Sequence, residues 1–246
     1  MELLVYLGVQ DPSGVRAELL GDSLWSEDDD DESRTERIRK RRYTMRQALK
    51  KLVPGLEGNP IAPFDKKNPV FRLNATVIES DVHRFIKLVQ EAKSLPPESA
   101  CAAYEAALDL YGGNLLERPD VPPYRWMDEG PRLVDLRVKY AAMEHQARRK
   151  LADLLAVGPE DGLARAEELY IGLAQDDPLD HRLWEALARL HERRNDLLGL
   201  EASMRRLRSA LVELGEGDDP ERVIVPPALE RVFTEIRTVL LRGRAA

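Results

Sequence analysis

Arg34-Thr-Glu-Arg-Ile-Arg-Lys-Arg-Arg-Tyr-Thr-Met-Arg-Gln-Ala-Leu-Lys-Lys-Leu-Val53 packs nine Lys or Arg and one Glu into twenty positions. At about 100° per residue on a helix, Ile38, Met45, Leu49 and Leu52 form one narrow apolar stripe. Glu36, Lys40, Tyr43 and Gln47 fall on the opposite side. Arg39, Arg46 and Lys50 lie on one flank, and Arg37, Thr44 and Lys51 on the other. A helix anchored by one face that offers cations, an amide and a phenol on the other suits the major groove of double-stranded DNA. The alternative is a solvated basic face. Such faces usually intersperse Glu with Lys, and this one has a single acid.

The surrounding chain is acidic, with a net charge of −7 over 246 residues. That balance argues against indiscriminate nucleic-acid binding, so the charge is segregated. Ser26-Glu-Asp-Asp-Asp-Asp-Glu-Ser33 carries six acids directly ahead of the bases. It reads as a solvated loop, as a source of caps for the next helix through Asp31, Glu32 or Ser33, or as a strand of charge that competes with DNA. A content of 43% apolar and 33% charged residues is that of a globular protein long enough for one large domain or two modest ones. No stretch approaches the roughly 18 apolar residues of a membrane span, and the start has no signal-peptide pattern, so a cytoplasmic location is expected. The single cysteine, Cys101, lies among small residues and reads as a buried packing residue.

Residues 3–9 form a short apolar helix candidate, stopped by Asp11-Pro-Ser-Gly14. Residues 15–25 follow, with Val15, Leu19, Leu20, Leu24 and Trp25 at helical spacing. The basic helix is the third, closed by Pro54-Gly55. Residues 61–64 and 69–73 read as two short strands around a polar tip that carries Lys66 and Lys67. Three helices and a hairpin are the winged helix-turn-helix layout, assigned to residues 1–79.

From residue 80 the pattern is helical, over 81–92, 98–110, 126–157, 162–175, 179–193, 197–214 and 227–241, with Ser80 or Asp81 as the first cap. Small residues inside the paired helices, among them Ala103, Ala107, Ala166 and Ala188, suggest a tetratricopeptide-like stack over 80–246. Asp176-Asp-Pro178 and Asp218-Asp-Pro220 echo one another 42 residues apart. That exceeds the roughly 34-residue repeat and requires an insertion. The expected fold is therefore mainly α, a winged helix with a β-hairpin wing followed by an all-α domain.

Several segments carry a family resemblance. Glu18-Leu-Leu-Gly-Asp-Ser-Leu-Trp25 resembles the second helix of the Streptomyces antibiotic regulatory proteins, and Met45-Arg-Gln-Ala-Leu49 the close of their recognition helix. Val70-Phe-Arg-Leu73 resembles a strand of their wing, and Asp81-Val-His-Arg-Phe85 the opening of their activator domain. Ala102-Ala-Tyr-Glu-Ala-Ala-Leu-Asp-Leu-Tyr-Gly-Gly113 is similar to a further segment of that domain, with Tyr111 in place of a tryptophan. In that family an OmpR-type winged helix precedes a bacterial transcriptional activator domain. This sequence begins at the position of the first helix, without the small sheet that opens the family's winged helix. The resemblance implies an actinobacterial regulator that binds direct-repeat operators as a homodimer, its helical domain serving dimerisation or contact with RNA polymerase.

On this reading Arg39, Lys40, Tyr43 and Gln47 reach base edges while Arg37, Arg46 and Lys50 neutralise phosphates, with Thr44 beside them. Lys66 and Lys67 touch an adjacent groove or backbone. A second reading is a protein-interaction or signal-sensing module that does not bind DNA, with Trp126, Tyr170, Trp184, Arg189, Arg193 and Arg194 on a concave surface. Both tryptophans also suit core packing. The sequence holds no Gly-rich phosphate loop, zinc-spaced Cys/His cluster or Gly-x-Ser-x-Gly motif, so neither catalysis, a metal nor a cofactor is expected. His83, His145, His181 and His191 are dispersed and read as helix-surface or interhelical hydrogen-bonding residues.

Overall fold

A computed structural model describes residues 2–24, 31–62, 70–117, 125–128, 131–215 and 219–245, without the side chains of 31–36, 39, 125, 128, 131, 132, 244 and 245. The described residues are mainly helical. The chain divides into two compact units, Met1–Leu95 with Glu105–Glu144, and Pro96–Tyr104 with His145–Ala246.

In the first unit α1 (Glu2–Val9) leads to β1 (Val15–Arg16), α2 (Ala17–Leu24) and α3 (Asp31–Leu52). β2 (Val70–Phe71) pairs antiparallel with β1, Val15 opposite Phe71 and Arg16 opposite Val70. Ile61 bridges Leu73, and Ala62 N–H donates to the Arg72 carbonyl at 3.0 Å. The expected helix over 15–25 thus starts two residues late, because Val15 and Arg16 satisfy their main-chain groups across the sheet. Gly14 makes this approach possible. Its φ is +99°, and a Cβ there would lie 2.6 Å from the Phe71 carbonyl oxygen. Residues 63–69, with Lys66 and Lys67, lie outside the described residues.

The core gathers Leu3, Tyr6 and Leu7 of α1, Leu20 of α2, Ile38 and Met45 of α3, and Ile61, Phe71 and Leu73 of the sheet region. Trp126, from the short α6 (Arg125–Asp128), sets its ring edge-on to Tyr6 at 5.1 Å. The Tyr6 hydroxyl donates to Ser23 Oγ at 2.8 Å, since Ser23 gives its own hydrogen to the Leu19 carbonyl. The expected helix over 126–157 is described in two parts, α6 and α7 (Pro131–Val157), and residues 129 and 130 between them lie outside the described residues.

α4 (Asp81–Ala92) and α5 (Pro97–Leu110) come before α6 in the chain. Ser80 is the N-cap of α4, its Oγ 3.5 Å from the His83 N–H. Cys101, expected to be buried, is half-buried on α5, between buried Ala100 and exposed Ala102.

The second unit contains α8 (Leu163–Asp176), α9 (His181–Arg193), α10 (Leu197–Glu213) and α11 (Pro227–Ala245). α9 packs against the other three, which is why Leu183, Trp184, Leu187, Ala188, Leu190 and His191 are all buried. Asp180 and Asp196 cap α9 and α10 through the N–H groups of Arg182 (3.0 Å) and Gly199 (2.9 Å). Asn195, at φ 51°, makes the left-handed turn between them. No helix among the described residues is long and apolar enough to cross a membrane.

Candidate nucleic-acid interface

α3 owes its orientation to two side chains. Ile38 is 1% exposed and Met45 5%, seven residues and two turns apart, and Leu49 packs partly against the same core. Burying two such side chains contributes about 1.5–3 kcal/mol each, enough to fix which face of the helix turns inward. Leu52 departs from the expected stripe, being 66% exposed. Its angular position is right, but the core it would face ends a turn earlier.

With that face held, the other is open. Arg37, Lys40, Arg41, Tyr43, Thr44, Arg46, Gln47, Lys50 and Lys51 are exposed. Tyr43 is 67% exposed, so its ring contributes nothing to the core and stands in water beside the cations. The Thr44 hydroxyl is turned back to the Lys40 carbonyl at 3.1 Å, which leaves its methyl group outward. Arg39 belongs to the side chains not described. Arg16 and Arg72, on the small sheet, are further exposed cations that the sequence reading passed over. The alternation of buried Val15, Phe71 and Leu73 with exposed Arg16 and Arg72 was the available signal.

α1 is held at its C-terminus by later parts of the chain. Ser80 Oγ donates to the Gly8 carbonyl at 2.6 Å, and the Tyr140 hydroxyl to that of Val9 at 2.7 Å. His83 Nε2 lies 3.1 Å from the Leu7 carbonyl and 3.0 Å from that of Gln10. Both partners only accept, so Nε2 carries the hydrogen. Four carbonyls that a helix end leaves without intrahelical partners are thereby satisfied. Sequence reading missed this cluster, because its members lie more than seventy residues from α1.

Most of the side chains proposed for the second reading are engaged in structural contacts. Trp126 and Trp184 are buried, and Trp184 Nε1 donates to the Pro178 carbonyl at 2.9 Å. Tyr170 donates to Asp153 at 2.8 Å, Arg189 pairs with Glu185, Arg193 binds the carbonyls of Ala156 and Gly158, and Arg194 pairs with Glu167. Tyr170, Arg193 and Arg194 tie separate elements together, whereas the Arg189–Glu185 pair is an exposed one within α9. Of the histidines, His83 and His191 make buried or half-buried hydrogen bonds, His145 is half-buried and His181 is exposed. Among the described residues no group of three or more His, Cys, Asp or Glu is placed to hold a metal ion.

Residues 80–221, more than half of the chain, match the family described as the bacterial transcriptional activator domain. The chain belongs to that family. It is a regulatory, non-catalytic family, and membership points to a role in transcriptional activation. No curated protein and no solved structure matches the chain.

Proposed function

We propose that this protein is a DNA-binding transcriptional regulator of the Streptomyces antibiotic regulatory protein type, with residues 1–79 forming a winged helix-turn-helix. The observation that carries this reading is α3: Ile38 and Met45 hold it in the core while Lys40, Tyr43, Arg46, Gln47 and Lys50 stand exposed on the far side. The order helix, strand, helix, helix, then a strand paired back to β1 supports the winged-helix reading. α3 enters the major groove. Lys40 reaches guanine edges and Gln47 adenine edges, with Arg39 and Tyr43 beside them, while Arg37, Arg46 and Lys50 contact phosphates near Thr44. Lys66 and Lys67 of the wing and the helical domain complete the assembly. The helical domain joins two copies on a direct-repeat operator or contacts RNA polymerase, and the protein acts in the cytoplasm. Family membership supports the activating role.

The test is fluorescence anisotropy with a labelled duplex of about three helical turns, at low and near-physiological salt, for the wild type and Arg39→Glu/Lys40→Glu. Salt-sensitive binding lost in the variant at unchanged melting temperature supports the reading. Equal binding by both proteins, or none by the wild type at low salt, overturns it.

A further inference from the structure

A cleft of about 570 Å³ opens in the first unit between the end of α1, the first turns of α4, the loop after α5, and α7. That volume lies within the range of small-molecule sites. Phe85 and Tyr111 line it with ring centroids 5.8 Å apart, and Tyr140 closes the side toward Val9. Aliphatic side chains, Leu116 among them, supply the rest of an apolar floor. Asp81 and Glu117 stand exposed at its edge, and no Lys, Arg or His is among its lining residues. Among the described residues no cation pairs with either carboxylate. Tyr140 already gives its hydrogen to the Val9 carbonyl, so toward the cleft its oxygen can only accept.

The wall is built rather than left over. Gly113 has φ 120° and Leu116 φ 55°, a left-handed conformation uncommon for a branched residue. Arg137 Nε donates to the Leu115 carbonyl at 2.9 Å and pins the loop from α7. The cleft therefore offers aromatic faces, an apolar floor, hydrogen-bond acceptors and negative charge; the Asn114 amide is a neutral donor, and among the described residues no cationic side chain lines it to receive an anion. We propose that it binds a small organic cation: an amine on an aromatic or aliphatic body, with the ammonium between Asp81 and Glu117 and the body against Phe85 and Tyr111. Because the end of α1 forms one wall, the occupant touches both the three-helix segment that carries α3 and the first helices of the activator family region.

The test needs no DNA. Phenethylamine and tryptamine are titrated into the whole chain by calorimetry and saturation-transfer NMR, beside 3-phenylpropionate, indole-3-propionate and phenethyl alcohol. The amines should bind saturably in the low millimolar range or tighter, and about tenfold more tightly than the carboxylates of matched size. Asp81→Asn/Glu117→Gln should erase the preference for amines while the alcohol's affinity stays unchanged. Gly112→Trp, at a cleft position where an added Cβ meets nothing within 4 Å, should abolish binding of all the probes. Thermal melting checks that each variant is folded. Absence of saturable amine binding overturns the proposal, as do carboxylates that bind equally well or amine binding indifferent to the double substitution.

Discussion

The Tyr140 hydroxyl donates to the main-chain carbonyl of Val9 across 2.7 Å, though 131 residues separate them in the chain. Tyr140 is buried, which pushes its phenol up to about 12, with the charge of Asp11 adding to the effect. The bond therefore keeps its hydrogen throughout the physiological range. Tyr140→Phe keeps the ring and leaves the carbonyl of buried Val9 without this partner, so it should cost about 1–3 kcal/mol in urea unfolding. Amide exchange should report the loss first in α1.

Side chains on the exposed face of α3 should separate by role. Arg46→Ala and Lys50→Ala should each reduce the slope of log affinity against log salt by about one and weaken all duplexes alike. Gln47→Ala should leave that slope unchanged and remove about 1–3 kcal/mol of discrimination at one base pair. Melting temperatures should not move, since all three side chains are exposed. Anisotropy titrations over a set of operator variants give both quantities.

What the sequence made legible was periodic and local. Ile38 and Met45 declared the inward face of α3 because helical spacing reports angle, but spacing cannot report how far the facing core extends, so Leu52 was misjudged. Val15 and Arg16 were absorbed into a helical run because a two-residue strand has no period, and its partner lies 55 residues away. Ser80 was readable as a cap, yet its shorter bond to the Gly8 carbonyl depends on a contact spanning 72 residues. Trp184 was correctly weighed as core. The arginines around it were not separable from a binding surface until their partners were known.

Gly14 is a position where substitution tests the sheet. An alanine Cβ would be 2.6 Å from the Phe71 carbonyl oxygen and 2.7 Å from Val70 Cγ1, at a φ that L-residues rarely adopt. Gly14→Ala should destabilise the first unit by about 2 kcal/mol or more. Gly112→Ala, in open space, should be close to neutral. Chemical denaturation of the two variants side by side checks the contrast.

His191, fully buried, joins three helices of the second unit. Its Nε2 is 2.9 Å from Ser203 Oγ, and its Nδ1 is 3.4 Å from Asp196 Oδ2. Glu167 of α8 lies 4.0 Å away, and Arg194 pairs with Glu167. Burial pushes the imidazole below its usual range. Glu167 and Asp196 oppose that shift without cancelling it, and Arg194 adds to it. The folded state therefore favours neutral His191, whereas the unfolded chain takes up a proton near pH 6.5. Stability from this group is complete above about pH 6.5 and is lost as pH falls through the lower folded value. His191→Gln should reduce stability at pH 7.5 by disturbing a buried hydrogen bond, yet flatten the decline between about pH 7 and pH 5. Carboxylates contribute equally to both proteins, so the difference between their urea-unfolding curves isolates the histidine. Parallel declines in the two would mean that folding leaves the proton affinity of His191 unchanged, and a wild type that declines less than the variant would mean that the imidazole is held protonated between Glu167 and Asp196.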